Sequence, residues 1–208
     1  MKRYLLLGIS LLLFACSKQS EVSQEVKNET ILCCPPTVAL QPCNRFTKKE
    51  AKLIIPKLKE AIRQYSGIEL DFEVLPPIIL ADSLKNSTKT RYRADKIINS
   101  MSINATGHYV IIALTHDDIS MPCRGHSDWG ILGLSIKSKY VCIASDCRLK
   151  NKHRDFWKVI IHEFIHTFHK YPHCPKDNSS CIMQDCKGHA DFSNKTSLCS
   201  FCDSLLNI

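Results

Sequence analysis

The sequence predicts an α/β domain, and three features carry that expectation. From residue 37 onward, short apolar segments with strand-like alternation interleave with segments of helical period. The run 155–170 keeps its apolar residues Trp157, Ile160, Ile161, Phe164 and Phe168 at helical intervals, giving one strong helix with surface to bury. At 208 residues, 44% hydrophobic and 23% charged, the chain has enough apolar material for one domain with a proper core.

Taken in order, Thr37 to Pro42 is a short strand ended by its proline. Thr47 opens a helix, with Glu50 three residues later at the capping-box spacing. Leu53, Ile54, Leu58 and Ile62 recur at helical intervals, Pro56 should kink or restart the helix, and Ser66-Gly67 stops it. Ile68 to Leu75 alternates as a strand with Ile68, Leu70, Phe72 and Val74 on one side, and Pro76-Pro77 ends it. Ala94 to Met101 is a second helix and His108 to Leu114 a buried strand. Trp129 to Ile136 and Tyr140 to Ala144 are two strands joined by a tight Lys-Ser-Lys turn. Asp155 to Lys170 is the strong helix, followed by a Cys-rich, irregular end with a small apolar finish at Leu205-Leu206. No internal repeat is visible.

The first residues read as a targeting segment. Lys2 and Arg3 precede an unbroken apolar run from Tyr4 to Ala15, too short for a stable membrane span. Leu13-Phe14-Ala15-Cys16 followed by polar residues resembles a bacterial lipobox, with Phe14 in place of the usual small or branched residue. The expectation is a signal over 1–15, lipidation of Cys16, a polar tether over 16–36 and a domain over 37–208. The protein would then be exported and membrane-anchored, facing the periplasm or the outside of the cell; ordinary secretion and a short membrane anchor are the alternatives. Two charges of the net +8 belong to the signal, and the other Lys and Arg are scattered rather than gathered with aromatics. No nucleic-acid partner is expected.

The chemistry lies in the strong helix. His162-Glu163-Phe164-Ile165-His166 fits H-E-x-x-H. Positions i and i+4 stack on one helix face, so both imidazoles can reach one zinc ion, and Glu163 stands beside the first of them. Zinc lowers the pKa of a water it holds to about 7, and the neighbouring carboxylate can take its proton as attack on a carbonyl begins. A third ligand is available in His169 or His173. His169 is one turn further along the helix, whereas His173 follows a break at Pro172, where the chain can swing back toward the ion.

A second constellation follows. Of the 12 cysteines, Cys174, Cys181, Cys199 and Cys202 fall after the helix, and the last two form a Cys-x-x-Cys pair suited to one tetrahedral metal. Cys181-Ile182-Met183 also puts a methionine where it could pack beneath the first site.

Together these segments resemble the archaemetzincins, zinc metallopeptidases of the metzincin group, whose pattern runs H-E-x-x-H-x-x-G-x-x-H-C, then C-x-M, then C-x-x-C. The likeness extends to Leu40-Gln41-Pro42, Thr90 to Lys96, Trp129 to Leu134, Ile143-Ala144-Ser145 and Arg148-Leu149, covering roughly residues 37 to 202. It implies a compact metzincin-like domain with a twisted mixed sheet above a helical lower part. It further implies a catalytic zinc on His162, His166 and His173, Glu163 as general base, Met183 in a Met-turn, and a structural zinc on Cys174, Cys181, Cys199 and Cys202. An edge strand near Leu132 to Leu134 would take an extended peptide or protein substrate, and a monomer is expected.

The sequence departs from the pattern at three places. His169 replaces the glycine expected to leave the helix with positive φ, at a cost of about 1 kcal/mol. One residue is inserted before His173, and the Cys174–Cys181 spacing is longer. With Cys16 lipidated and four cysteines on zinc, Cys33, Cys34, Cys43, Cys123, Cys142, Cys147 and Cys186 remain, and in an exported protein these suggest disulfides. The same compartment could convert the four zinc thiolates into disulfides. A zinc peptidase is the leading expectation; the alternatives are a zinc-binding lipoprotein with a degenerate site and a disulfide-stapled interaction module.

Overall fold

Strand β1 (Thr37–Pro42) occupies the middle of a sheet because both of its faces are apolar: Val38 and Leu40 point one way and Ala39 the other, all fully buried. The computed structural model describes residues 37–102, 105, 109–123, 125–186 and 191–206. The expected signal, the tether with Cys16, and the Cys33-Cys34 pair lie outside the described residues, as does His108.

Helix α1 (Lys48–Ser66) follows, then β2 (Asp71–Val74), β3 (Tyr92–Arg93), α2 (Ala94–Met101), β4 (Tyr109–Thr115), β5 (Ile119–Cys123), β6 (His126–Ile131), β7 (Gly133–Ser135), β8 (Val141–Ser145), α3 (Lys152–Phe168) and α4 (Ser200–Leu206). The main sheet has the order β2-β1-β4-β8-β7. Its first four strands are parallel, and β7 closes one edge antiparallel to β8. A second sheet has the order β3-β5-β6. This is a mixed α/β architecture, as expected.

Alternation along the central strands divides the core between the two faces of the main sheet. Val110, Ile112 and Leu114 of β4 pack with Leu58 and Ile62 of α1 and with Phe156, Val159, Ile160 and Phe164 of α3. Ile111 and Ala113 face the other way, toward Ile97 and Ile98 of α2. The sheet thus holds α3, with its His and Glu side chains, against a rigid apolar floor.

Several expectations are sharpened or corrected. The capping box is present, with the Thr47 hydroxyl accepting from the Glu50 N–H and Glu50 reaching back to the Thr47 N–H, and Gly67 ends the helix at φ 64°. Pro56 does not restart α1. It lies on the exposed face together with Lys52, so water can satisfy the carbonyl it leaves unpaired. Leu53, counted with the apolar stripe, is 70% exposed. The segment expected as one strand over 129–136 is two, because the chain breaks at Leu132 and passes from the small sheet to the edge of the large one. The C-terminal segment, expected to be irregular, contains the helix α4. Among the described residues no expected disulfide forms: all nine of their cysteines are free thiols.

Candidate functional site

Among the described residues, two groups of side chains have the composition and spacing to hold a metal: His162, His166 and His173, and Cys174, Cys181, Cys199 and Cys202. The first begins on α3. Its i, i+4 pair brings the two Nε2 atoms of His162 and His166 to 3.1 Å, and His173 Nε2 lies 3.2 Å from that of His162. A tetrahedral zinc with Zn–N bonds of roughly 2.05 Å has N···N edges of about 3.3 Å, so the three nitrogens match the base of such a site.

The path from His166 to His173 differs from expectation at one residue. His169 remains right-handed at φ −84°, and its N–H still bonds to Ile165 O at 3.1 Å. The left-handed residue is Lys170, at φ 56°. The insertion is absorbed by extending the helix one residue before the chain turns, which leaves three residues from the turn to the third histidine. Lys170 is secured by its own side chain: Nζ donates to Lys139 O at 3.1 Å and sits 3.8 Å from the Tyr140 ring centroid. His169 packs edge-on against Phe164 and Phe168, away from the nitrogen cluster.

Backbone carbonyls orient the two helical imidazoles. His162 Nδ1–H donates to Ile182 O at 2.7 Å, and His166 Nδ1–H donates to Tyr171 O at 2.5 Å. These bonds fix the tautomer that leaves each Nε2 lone pair toward the cluster. Burial holds His162 well below its usual pKa, the proximity of His166 disfavours two positive charges side by side, and burial brings His166 down to about 4. Burial also lowers His173, so the set is neutral at pH 7.

The Ile182 carbonyl belongs to the turn Cys181–Gln184, in which Gln184 N–H donates to Cys181 O at 3.0 Å and Met183 is fully buried. Lys195, 4% exposed, clamps this turn from beneath by donating to Cys181 O at 3.1 Å and Gln184 O at 2.7 Å.

Glu163 projects from α3 under the edge strand. It is buried, and burial pushes its carboxyl up to about 8. A Cβ on Gly133 would stand 2.5 Å from Glu163 Cγ and Oε1, so glycine at this position of β7 is what admits the carboxylate. Thr167 Oγ1 bonds to both Glu163 O and Ser135 Oγ at 2.8 Å, tying α3 to the same strand.

These groups open into a cleft of about 500 Å³ bounded by β6 and β7 on one side and by His173, Asp185, Cys186 and Phe192 on the other. Arg148 also lines it, held by a two-pronged ion pair to Asp118 (Nε to Oδ1 2.6 Å, Nη2 to Oδ2 2.8 Å). Sequence reasoning assigned no role to Gly130, Gly133, Arg148 or Lys195, because each acts through a tertiary contact with no local pattern.

In the second group, Cys174 Sγ is 3.6 Å from Cys199 Sγ, and Cys181 Sγ is 3.7 Å from Cys202 Sγ. These separations are far from an S–S bond of about 2.05 Å and close to the roughly 3.8 Å edge of a tetrahedron with Zn–S bonds of about 2.3 Å. Burial alone would raise the Cys199 thiol, yet hydrogen bonds from the Cys202 backbone N–H and the neighbouring thiols bring it to about 7. Hard cations would reject this donor set, and zinc accepts it.

No family model matches the chain, and no curated protein matches it. Solved structures do. An archaemetzincin of Methanopyrus kandleri is 18% identical with a TM-score of 0.67, over 83% of this chain and 93% of that one. An archaemetzincin of Archaeoglobus fulgidus, complexed with malonate, is 20% identical with a TM-score of 0.61, over 81% and 98%. A zinc-dependent peptidase of Methanocorpusculum labreanum is 18% identical with a TM-score of 0.63, over 82% and 100%. Identities this low speak to architecture, and the architecture of this chain is the archaemetzincin fold.

Proposed function

We propose that the chain is a zinc-dependent peptidase with a catalytic zinc on His162, His166 and His173 and a structural zinc on Cys174, Cys181, Cys199 and Cys202. The observation that carries the reading is the convergence of three neutral Nε2 atoms, with the Glu163 carboxyl beside them beneath an open edge strand. Zinc bound there supplies a Lewis acid that polarises a peptide carbonyl and acidifies water.

The chain's own residues do the rest. Among the described residues no strand pairs with the outer edge of β7, and an extended peptide can lie there, bringing one backbone carbonyl over the imidazoles. Burial alone keeps the Glu163 carboxyl protonated at neutral pH; a cation held by the adjacent imidazoles would favour its ionised form, which can accept a proton and return it to the departing amine. The carbonyls of Ile182 and Tyr171 hold the imidazoles in one tautomer throughout. His173, the exposed member of the set, leaves the site open toward the cleft.

Glu163→Ala tests the mechanism. Peptide cleavage is expected to fall by at least about a thousandfold with zinc content unchanged; retained cleavage would overturn it. Wild-type protein that binds zinc but cleaves no peptide would instead support a non-catalytic zinc-binding protein. We also propose export and anchoring through acylated Cys16, to be checked by fatty-acid labelling and its loss in Cys16→Ser.

A further inference from the structure

Two glycines of one ribbon, Gly130 at the end of β6 and Gly133 at the start of β7, are each backed by a charged side chain reaching up from below. At Gly133 that group is the Glu163 carboxyl. At Gly130 it is the Arg148 guanidinium, which a Cβ would overlap at Cζ, Nη1 and Nη2. An arginine serving only to pair Asp118 would not need to lie directly against the strand in the cleft.

Its pairing also leaves it able to act. Asp118 divides its oxygens between Arg148 and Arg91, and Arg91 takes a second carboxylate in Asp128 at 2.9 Å. Nε and Nη2 of Arg148 are committed to Asp118, and among the described residues Nη1 has no hydrogen-bond partner. Met121 and Trp129, opposite each other in the β5–β6 pair, line the same end of the cleft and supply apolar contact around the cation.

The strand direction says which part of a substrate meets it. A peptide added antiparallel to β7 runs from Ser135 toward Gly130, so its C-terminal side passes Arg148 after the carbonyl over the imidazoles. Gly130 precedes Gly133 by three residues across the break at Leu132, at most about 10 Å of extended chain, which is the reach of two or three substrate residues. Resting on the peptidase reading above, we infer that Arg148 forms a carboxylate-binding subsite on the leaving-group side, two or three residues beyond the cleaved bond. The carboxylate is either the peptide's own C-terminus or an acidic side chain.

The test uses zinc-loaded full chain and internally quenched peptides that share an N-terminal half. Three residues follow the cleaved bond and end in a free carboxylate, an amide, or an amide with Glu as last residue. A carboxylate-bearing peptide is expected to be cleaved with about tenfold higher kcat/KM than the plain amide, the gain lying in KM. Comparing the free terminus with the Glu amide identifies the source. Arg148→Met combined with Asp118→Asn, which avoids leaving an unpaired half-buried charge, should erase the preference while zinc content and circular dichroism persist; Arg148→Lys should restore part of it. Binding of the same peptides to Glu163→Gln protein, measured by calorimetry, gives a readout that needs no turnover. Equal handling of amide and carboxylate peptides overturns the subsite and leaves the peptidase reading intact. Preferential binding of carboxylate peptides without any cleavage by wild type overturns the peptidase reading and keeps the subsite; absence of all binding and cleavage overturns both.

Discussion

At the scale of single residues, the contact between Gly133 and Glu163 is where backbone and chemistry meet. Gly133→Ala puts a methyl 2.5 Å from the carboxylate that β7 now covers, so the carboxylate must move. We expect cleavage to fall by roughly a hundredfold with zinc still bound, since a displacement of about 1 Å in a reacting group costs that much; wild-type turnover would show the carboxylate has room. Glu163 also leaves a signature in stability. Its carboxyl titrates near 8 in the fold against an ordinary 4.5. Between those values the metal-free fold keeps a proton that the unfolded chain has released, so stability falls as pH rises from about 4.5 to about 8. Glu163→Gln cannot ionise, so its melting temperature, measured metal-free against wild type, should gain steadily across that window and level off beyond it. The histidine shifts act in both proteins and cancel in the comparison. His162, Glu163 and His166 were legible in the sequence because helical spacing alone places them together. Gly133 was not, because nothing local marks which glycine lies over which carboxylate.

At the scale of elements, the exit of α3 shows how an insertion is absorbed without losing the third histidine. The helix keeps its hydrogen bond at His169 and transfers the left-handed step to Lys170, where a long side chain compensates by binding Lys139 O and the Tyr140 ring. Lys170→Ala and Lys170→Gly both lose those contacts and differ only in tolerance of positive φ. The glycine variant should therefore be more stable by about 1 kcal/mol in denaturant unfolding; equal stabilities would mean the residue has left that conformation. Sequence reasoning put the strained residue at His169 because it followed the spacing of the family pattern, and spacing cannot say on which side of the turn an extra residue sits. The same limit applied elsewhere. Strand β5 contains Pro122, which hides it, although at a register shift and past the two residues that pair with β3 the proline does no harm. In α4, Cys202 is buried as one of the four thiols, which obscured the helical period of a seven-residue element. By contrast, α1 and α2 were legible nearly to the residue, because a capping box and an uninterrupted stripe are purely local signals.

At the scale of the whole molecule, the two metal groups are one construction. Cys174 follows His173 directly, and its N–H bonds to Met183 O at 2.8 Å. Cys181 begins the turn whose Ile182 carbonyl orients His162. Both segments that complete the histidine site are thus tied to the four thiols. Lys195 sits between them, buried, with its ammonium on carbonyls of that turn; burial lowers its proton affinity, and negative charge on Cys186, Cys181, Asp185 and Cys174 works against that. A buried ammonium needs a nearby negative charge. Asp185 supplies one in either state of the cysteines; four thiolates around one zinc ion would add a net charge of −2, whereas two disulfides would add none. This charge balance favours metal over oxidation at the cysteine site. It also predicts coupling between the sites. Cys202→Ser removes one ligand far from the histidines in sequence. In cobalt-substituted protein, thiolate charge-transfer bands should weaken, and the affinity of the histidine site should fall by about tenfold or more as the turn loosens. Lys195→Met should produce the same pair of changes through the turn and the lost charge. If either variant kept full affinity at the histidines, the thiol cluster would be a separate staple, and the carbonyl of Ile182 would hold its place without it.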